Sequence, residues 1–397
     1  MRRFPGSFIS ANTPSPSYGI NTAAPGFWTR NQQRSYKLNY SWPQAQAQSF
    51  LWTWGLNSSG ELGLGNTTNY SSPKQVGALS TWRILASAGA NTLSIKNDGT
   101  LWSFGSGQYG QSGWGNTSNY SSPKQVGSRT DWANIFPIGT HGLYALTKTG
   151  VVYRWGLKIY NSYSQSLIPS TDMASPLGSE WASISSMSNH IVGLRKTGTL
   201  WTWGSGASGR LGLGNTTPYT SPKLLSSQKW ISASAGFGHS AAVKSDGTLW
   251  TWGAGTSGCL GLGNVTSYSS PKQVGILTNW AKVYCGVNNT FAIKTDGTLW
   301  TWGAGNYGQT GLGNTTNYSS PKQVGLLTNW KQLSIGRFHV TAIKTDGTLW
   351  SWGTNNSGQL GLGNLIDYSS PKQVGLATNW ISLAPRAGSQ TIAIRGI

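Results

Sequence analysis

Nine carboxylates are available for acid–base chemistry: Glu61, Asp98, Asp131, Asp172, Glu180, Asp246, Asp296, Asp346 and Asp367. Four of them, Asp98, Asp246, Asp296 and Asp346, stand in the same Asp-Gly-Thr string between alternating apolar runs. Both residues of Asp-Gly tolerate positive φ, so the pair forms the tight turn of a β-hairpin. Those four are turn formers. Glycoside hydrolysis would need two of the remaining five, such as Asp131 with Asp172 or Glu180, to converge in one cleft. The four His (His141, His190, His239 and His339) fall at or next to one recurring position, which Asn91, Asn289 and Gln390 occupy elsewhere. A polar side chain recurring there suits hydrogen bonds between neighbouring units, not a metal. Cys259 and Cys285 lack the spacing of a zinc knuckle or redox motif. They read as a free loop thiol and a small apolar filler. The expectation is a non-enzymatic chain without a cofactor.

The elements that would position these residues come from a repeat. A Trp-x-Trp-Gly string, or a close variant, ends at Gly55, Gly105, Gly156, Gly204, Gly253, Gly303 and Gly353. A second marker is Trp82, Trp132, Trp181, Trp230, Trp280, Trp330 and Trp380. A Leu-Gly-Leu-Gly-Asn loop and a Ser-Pro-Lys string recur in every unit except the third. One period holds four short β-prone runs. In the sixth unit they are Trp280–Tyr284, Thr290–Lys294, Leu299–Trp302 and Pro321–Val324, with Asp296-Gly297 as the turn. Four strands in about 50 residues, seven times over, match the blade of a β-propeller. The chain ends are complementary. The first unit opens at Phe50-Leu51-Trp52 without its preceding strand, and Thr391-Ile392-Ala393-Ile394 supplies one. Pairing the two closes the ring and removes exposed strand edges. The expected fold is therefore all-β: a seven-bladed propeller over residues 49–397, preceded by an extended arm over 1–48.

Trp and Lys then acquire assignments. Nineteen of the 22 Trp sit at repeat positions and read as core, because residues i and i+2 of a strand share a face. Trp28, Trp42 and Trp114 are the exceptions. The six Ser-Pro-Lys lysines form a basic ring. The formal net charge is +20, which attracts polyanions. An anionic host-surface glycan and an acidic protein face are the expected classes. Specific nucleic-acid binding is not expected, since the Trp are already committed. Asn66-Thr67-Thr68 and Asn314-Thr315-Thr316 read as polar loop residues. There is no apolar run long enough to span a membrane and no secretory signal.

The strings Gly236-Phe237-Gly238-His239-Ser240-Ala241-Ala242-Val243, Asp246-Gly247-Thr248-Leu249-Trp250-Thr251-Trp252-Gly253 and Leu260-Gly261-Leu262-Gly263-Asn264 resemble the regulator of chromosome condensation repeat family. The resemblance runs from Ser49 to Ile397 and implies a seven-bladed propeller closed by shared strands. That family includes a guanine-nucleotide exchange factor, chromatin binders and a plant ultraviolet photoreceptor. The exchange activity relies on an acidic loop face, for which this chain has too few acids. The photoreceptor relies on Gly-Trp-Arg-His-Thr strings, and Gly336-Arg337-Phe338-His339-Val340 lacks the Trp.

The first 48 residues lack the repeat. Ser7-Phe8-Ile9-Ser10-Ala11-Asn12, Gly26-Phe27-Trp28-Thr29 and Trp42-Pro43 resemble the leader of tailed-bacteriophage virion and tail proteins. That resemblance implies a virion structural protein of the tail, baseplate, fibre or capsid decoration, assembled in the host cytoplasm. Its arm would anchor to other virion proteins through Arg2, Arg3, Trp28, Arg30, Arg34, Lys37 and Trp42. The propeller would face outward for host attachment. The alternative expectation is a cellular propeller-type regulator or chromatin-binding module. The third unit departs most from the repeat, and Lys158, Tyr160 and Tyr163 mark it as a candidate private contact surface.

Overall fold

The computed structural model describes residues 48–79, 81–139, 141–157, 163–169, 181–385 and 388–397. The arm residues Arg2, Arg3, Trp28, Arg30, Arg34, Lys37 and Trp42 lie outside them, as do Lys158 and Tyr160. Among the described residues the chain forms seven four-stranded antiparallel sheets. Blades are numbered here by the order of their Trp-x-Trp-Gly string.

The first blade closes the ring. It combines Trp380–Leu383 and Gln390–Gly396 from one end of the chain with Ser49–Gly55 and Tyr70–Gln75 from the other. Across the seam, Leu51 pairs with Ile394, Thr53 with Ile392 and Gly55 with Gln390. This is the closure expected from the complementary ends.

Blade six shows the common plan. Its strands are Trp280–Cys285, Asn289–Lys294, Leu299–Gly303 and Tyr318–Gln323. The first strands of neighbouring blades touch one another, so they are innermost. The second strand is buried at every residue, and the third has only Trp300 part-exposed. The fourth strand starts three residues earlier than the sequence suggests, because Tyr318 pairs with Gly303. It is the outer edge, where Pro321 costs no ladder bond and discourages pairing with another chain.

The Asp-Gly turn joins the second strand to the third. Gly297 has φ +78°, and a Cβ there would lie 2.0 Å from Thr328 O in the loop entering the next blade. Asp296 Oδ1 accepts from Thr298 N at 2.9 Å and from Thr298 Oγ1 at 2.6 Å. Asp98, Asp246 and Asp346 do the same.

The core lies between blades. Trp280, Val283, Cys285 and Trp302 of blade six pack with Ala241, Val243 and Leu249 of blade five. Each such large side chain contributes roughly 1.5–3 kcal/mol by burial. The indole of Trp302 adds a hydrogen bond from Nε1 to Cys259 O in the glycine loop of blade five. Trp54, Trp155, Trp252 and Trp352 make the same bond to the preceding glycine loop.

Blade three is a complete sheet despite its divergence. Its strands are Trp132–Ile138, Gly142–Thr147, Val152–Leu157 and Tyr163–Pro169. Its sequence lacks the Leu-Gly-Leu-Gly-Asn string, and Trp203 Nε1 of blade four has no hydrogen-bond partner among the described residues.

Candidate functional site

Among the described residues the carboxylates do not assemble. Besides the four turn formers, Asp131 pairs with Arg129 at 2.8 Å, and Asp367 Oδ1 accepts from Asn355 N at 2.6 Å. Glu61 is fully buried, and its Oε2 accepts from Ser59 N. Asp172 and Glu180, the proposed partners of Asp131 in a sugar-cleaving cleft, lie outside the described residues. No group of three or more metal-ligating side chains occurs among the described residues.

The histidines tie blade to blade. Nε2 of His190, His239 and His339 lies 2.9, 2.9 and 3.0 Å from the hydroxyls of Ser240, Thr290 and Thr391 in the following blades. Gln390 reaches across the next junction to Gly89 O at 2.6 Å. His141 sits one residue before that position and stacks on Tyr109 at 4.3 Å. Burial pushes His239 and His339 down to about 4.

Cys259 is the free loop thiol expected from sequence, and it is buried. It is 1% exposed, its Sγ donates to Ala254 O, and burial raises it to about 12. Cys285 is also buried and raised by burial. Neither thiol is poised as a nucleophile.

Two sets of cations organise the rest. In the first, each blade wedges one cation against two aromatic rings, and the Lys of blades two, six and seven are buried there. Lys344 Nζ lies 3.6 Å from the Trp350 ring and 4.8 Å from Trp330. Lys96, Lys244 and Lys294 repeat this, while Arg129, Arg195 and Arg395 serve blades three, four and one. Lys96, Lys294 and Lys344 are buried, and desolvation lowers each against the opposing pull of Asp98, Asp296 or Asp346. The sequence reading missed this set. In blades two, five, six and seven its signal is a Lys two before the turn Asp and six before the first Trp of the following string, which the hairpin register brings opposite the marker Trp, as Lys294 opposite Trp280.

The second set is the expected ring. Lys74, Lys124, Lys223, Lys272, Lys322 and Lys372 are exposed on the outermost strands. Each lies over the half-buried Tyr four residues earlier, at 4.2–5.7 Å. Trp114 joins this belt, 4.3 Å from Tyr120. Among the described residues no carboxylate pairs with these lysines, and the one salt bridge is Arg129–Asp131. Tyr163 begins the last strand of blade three opposite Leu157.

Grooves open between outer strands. One of about 670 Å³ lies between blade seven and the closing blade, walled by Trp52 and Trp380 with Arg395. Its counterpart between blades four and five is about 520 Å³. The loops leaving blades five, six and seven also carry Ile276, Leu326 and Leu376, each at least 90% exposed. At the equivalent position the first, second and fourth blades have Ala78, Ser128 and Ser227.

A closed ring of seven sheets, interlocked Trp and no assembled reactive cluster among the described residues define a β-propeller built of regulator of chromosome condensation (RCC1) repeats. The RCC1-like domain matches residues 161–394, and RCC1 repeats match 50–95 and 98–135. The chain belongs to the RCC1-like domain family. It is 29% identical over 186 residues to the E3 ubiquitin-protein ligase HERC2 of Mus musculus and of Homo sapiens. That stretch covers 45% of this chain and 4% of the relative, so the chain spans a small part of HERC2. Among solved structures, Prp20p from Saccharomyces cerevisiae superposes with a TM-score of 0.75 at 19% identity, covering 89% of this chain and 92% of that one. Human WBSCR16 superposes with a TM-score of 0.74 at 19% identity, covering 89% and 99%. These likenesses are of fold.

Proposed function

We propose that this chain is a non-enzymatic interaction module of the propeller-regulator type, binding an acidic macromolecular partner through its lysine belt. The observation that carries the reading is the belt itself: six exposed lysines, one per regular blade, with no carboxylate partner among the described residues. The Prp20p structure was described with its binding to Gsp1p and histones, and yeast RCC1 with Kap60. Those partners support a protein-binding role for the architecture. A net charge of +20 favours an acidic partner over a basic one such as a histone.

The test replaces all six belt lysines with Gln. Retention on heparin and on an immobilised acidic protein, followed across NaCl concentration, should fall with a shallower salt slope. An unchanged slope rejects the belt as the binding element. A filter-binding titration of nucleic acid across salt separates protein from nucleic-acid targets.

A second reading places the same module on a bacteriophage particle. It rests on the leader motifs between Ser7 and Pro43. Deleting residues 1–48 should leave a folded propeller that fails to join the particle, and normal incorporation rejects it.

A further inference from the structure

The seam where the ring closes differs chemically from the junctions of blades two, five, six and seven. In blades two, five, six and seven the caged cation is Lys, and the turn supplies an Asp two residues on. The closing blade has no such turn, because its two central strands come from opposite ends of the chain. Its caged cation is Arg395, followed by Gly396-Ile397. Arg395 Nε donates to Asn379 Oδ1 at 2.7 Å, and Asn379 Nδ2 donates to Gly396 O at 2.6 Å. Asn379 thus fixes the guanidinium, while neither Nη group bonds to a described residue. A guanidinium held by one edge presents the other to a planar, two-oxygen acceptor.

Arg395 lines the groove of about 670 Å³, and no carboxylate lines it. That volume is within the range of peptide and ligand clefts. Trp52 and Trp380 wall it beside the cation. Leu376 forms one lip at 93% exposure. The lip stands on a rigid turn: Gly375 has φ +62° and Gln373 Nε2 donates to Gly375 O. Pro73 forms the opposite lip, and the exposed belt residue Lys74 follows it.

We propose that this groove is a docking site for an extended acidic peptide of a partner protein, one in which a carboxylate adjoins an aliphatic or aromatic side chain. The carboxylate meets the free edge of Arg395. The adjoining side chain packs on the Trp walls and under Leu376. The proposal rests on the reading of the chain as an interaction module and gives it an address on the ring.

The test is selection of a displayed random peptide library on the full chain, followed by affinity measurement on Arg395→Gln and Leu376→Ser. Enriched peptides should share an Asp or Glu beside Leu, Ile or Phe. Arg395→Gln should weaken them at least tenfold and Leu376→Ser severalfold. Leu376 is solvated, so its replacement leaves folding intact even if Arg395→Gln loosens the seam. Binding that is indifferent to both substitutions overturns the groove assignment while leaving the module reading standing. Enrichment without acidic residues, or no enrichment, overturns the groove as well. So does Arg395-dependent capture of a single-stranded oligonucleotide in place of peptide. Loss of the belt's salt-dependent association, measured separately, is what removes the parent reading.

Discussion

His239 donates from Nε2 to Thr290 Oγ1 across the junction between blades five and six, at 2.9 Å. The direction is fixed by the hydroxyl, whose one proton goes to Cys259 O at 2.8 Å. The imidazole is therefore the neutral Nε2–H tautomer. His339 repeats the chain through Thr391 to Gln359 O. A second proton would have to sit on a buried Nδ1; that of His239 has no hydrogen-bond partner.

A pH dependence follows. Both histidines are held at about 4, against an ordinary histidine value of about 6.5. A depressed folded pKa means that the unfolded chain binds the proton first. Stability is full above about pH 6.5 and falls as pH drops toward 4. Each histidine contributes on the order of 3 kcal/mol to that fall. The turn carboxylates are lowered below 3.8, so their losses come at lower pH. Urea midpoints between pH 7 and pH 4 should drop steeply in the wild type. They should flatten in the His239→Gln, His339→Gln double variant, since Gln390 already fills that position. Equal slopes would refute the coupling.

Glu61 gives the opposite sign. Its carboxylate is fully buried, Oε1 has no partner, and desolvation raises its pKa. Gln111, Gln309 and Gln359 occupy the same loop position and accept the same backbone N–H. Glu61→Gln should stabilise the protein at pH 7 by about 1 kcal/mol, since a buried charge gives way to a neutral isostere. The gain should shrink as pH falls through the raised pKa. Thermal melts at pH 7 and pH 4.5 read this directly, and a destabilised variant at pH 7 contradicts it.

The ring was legible because its markers are large and periodic. Seven marker Trp, and strand ends that complete one another at Leu51 and Ile394, leave few arrangements that bury the indoles. The histidine contacts were legible because Asn and Gln substitute for His there. Three features were hidden. The edge strand begins at Tyr318 because pairing of a glycine decides it, and that glycine looks like loop. Lys344 reads as surface until the hairpin folds it onto two indoles. Arg395 reads as one more basic residue until the turn that would compensate it is found to be missing. Each depends on which residues meet across strands, and composition carries no record of that.

Blade three predicts an asymmetry between equivalent tryptophans. Trp302 Nε1 donates to Cys259 O at 2.8 Å, whereas Trp203 Nε1 is buried without a partner among the described residues. Phe replacement removes a made hydrogen bond at the first and an unmet donor at the second. Trp302→Phe should cost about 1–3 kcal/mol more than Trp203→Phe. Phe104 already fills this position in blade two, so both variants should fold. Chemical denaturation of the pair decides it, and equal costs reject the account.

The caged and the belt lysines should separate by assay. Lys344 lies 3.6 Å from the Trp350 ring, at 3% exposure. Lys322 is exposed and 5.7 Å from the Tyr318 ring. A cation–π contact is worth roughly 0.5–1 kcal/mol in water and about 2 when desolvated. Burial works against the charge on Lys344, but Asp346 stands two residues away and supports it. Lys344→Met should therefore lose about 1 kcal/mol of stability. Lys344→Arg should recover most of it, since Arg195 and Arg395 fill that role in blades four and one. Lys322→Met should change stability by less than about 0.5 kcal/mol. On heparin the order reverses: Lys322→Met should elute at lower salt, and Lys344→Met should elute with the wild type. A lysine that moved both readouts equally would show that one set of cations serves both structure and binding, contrary to the division drawn from their burial.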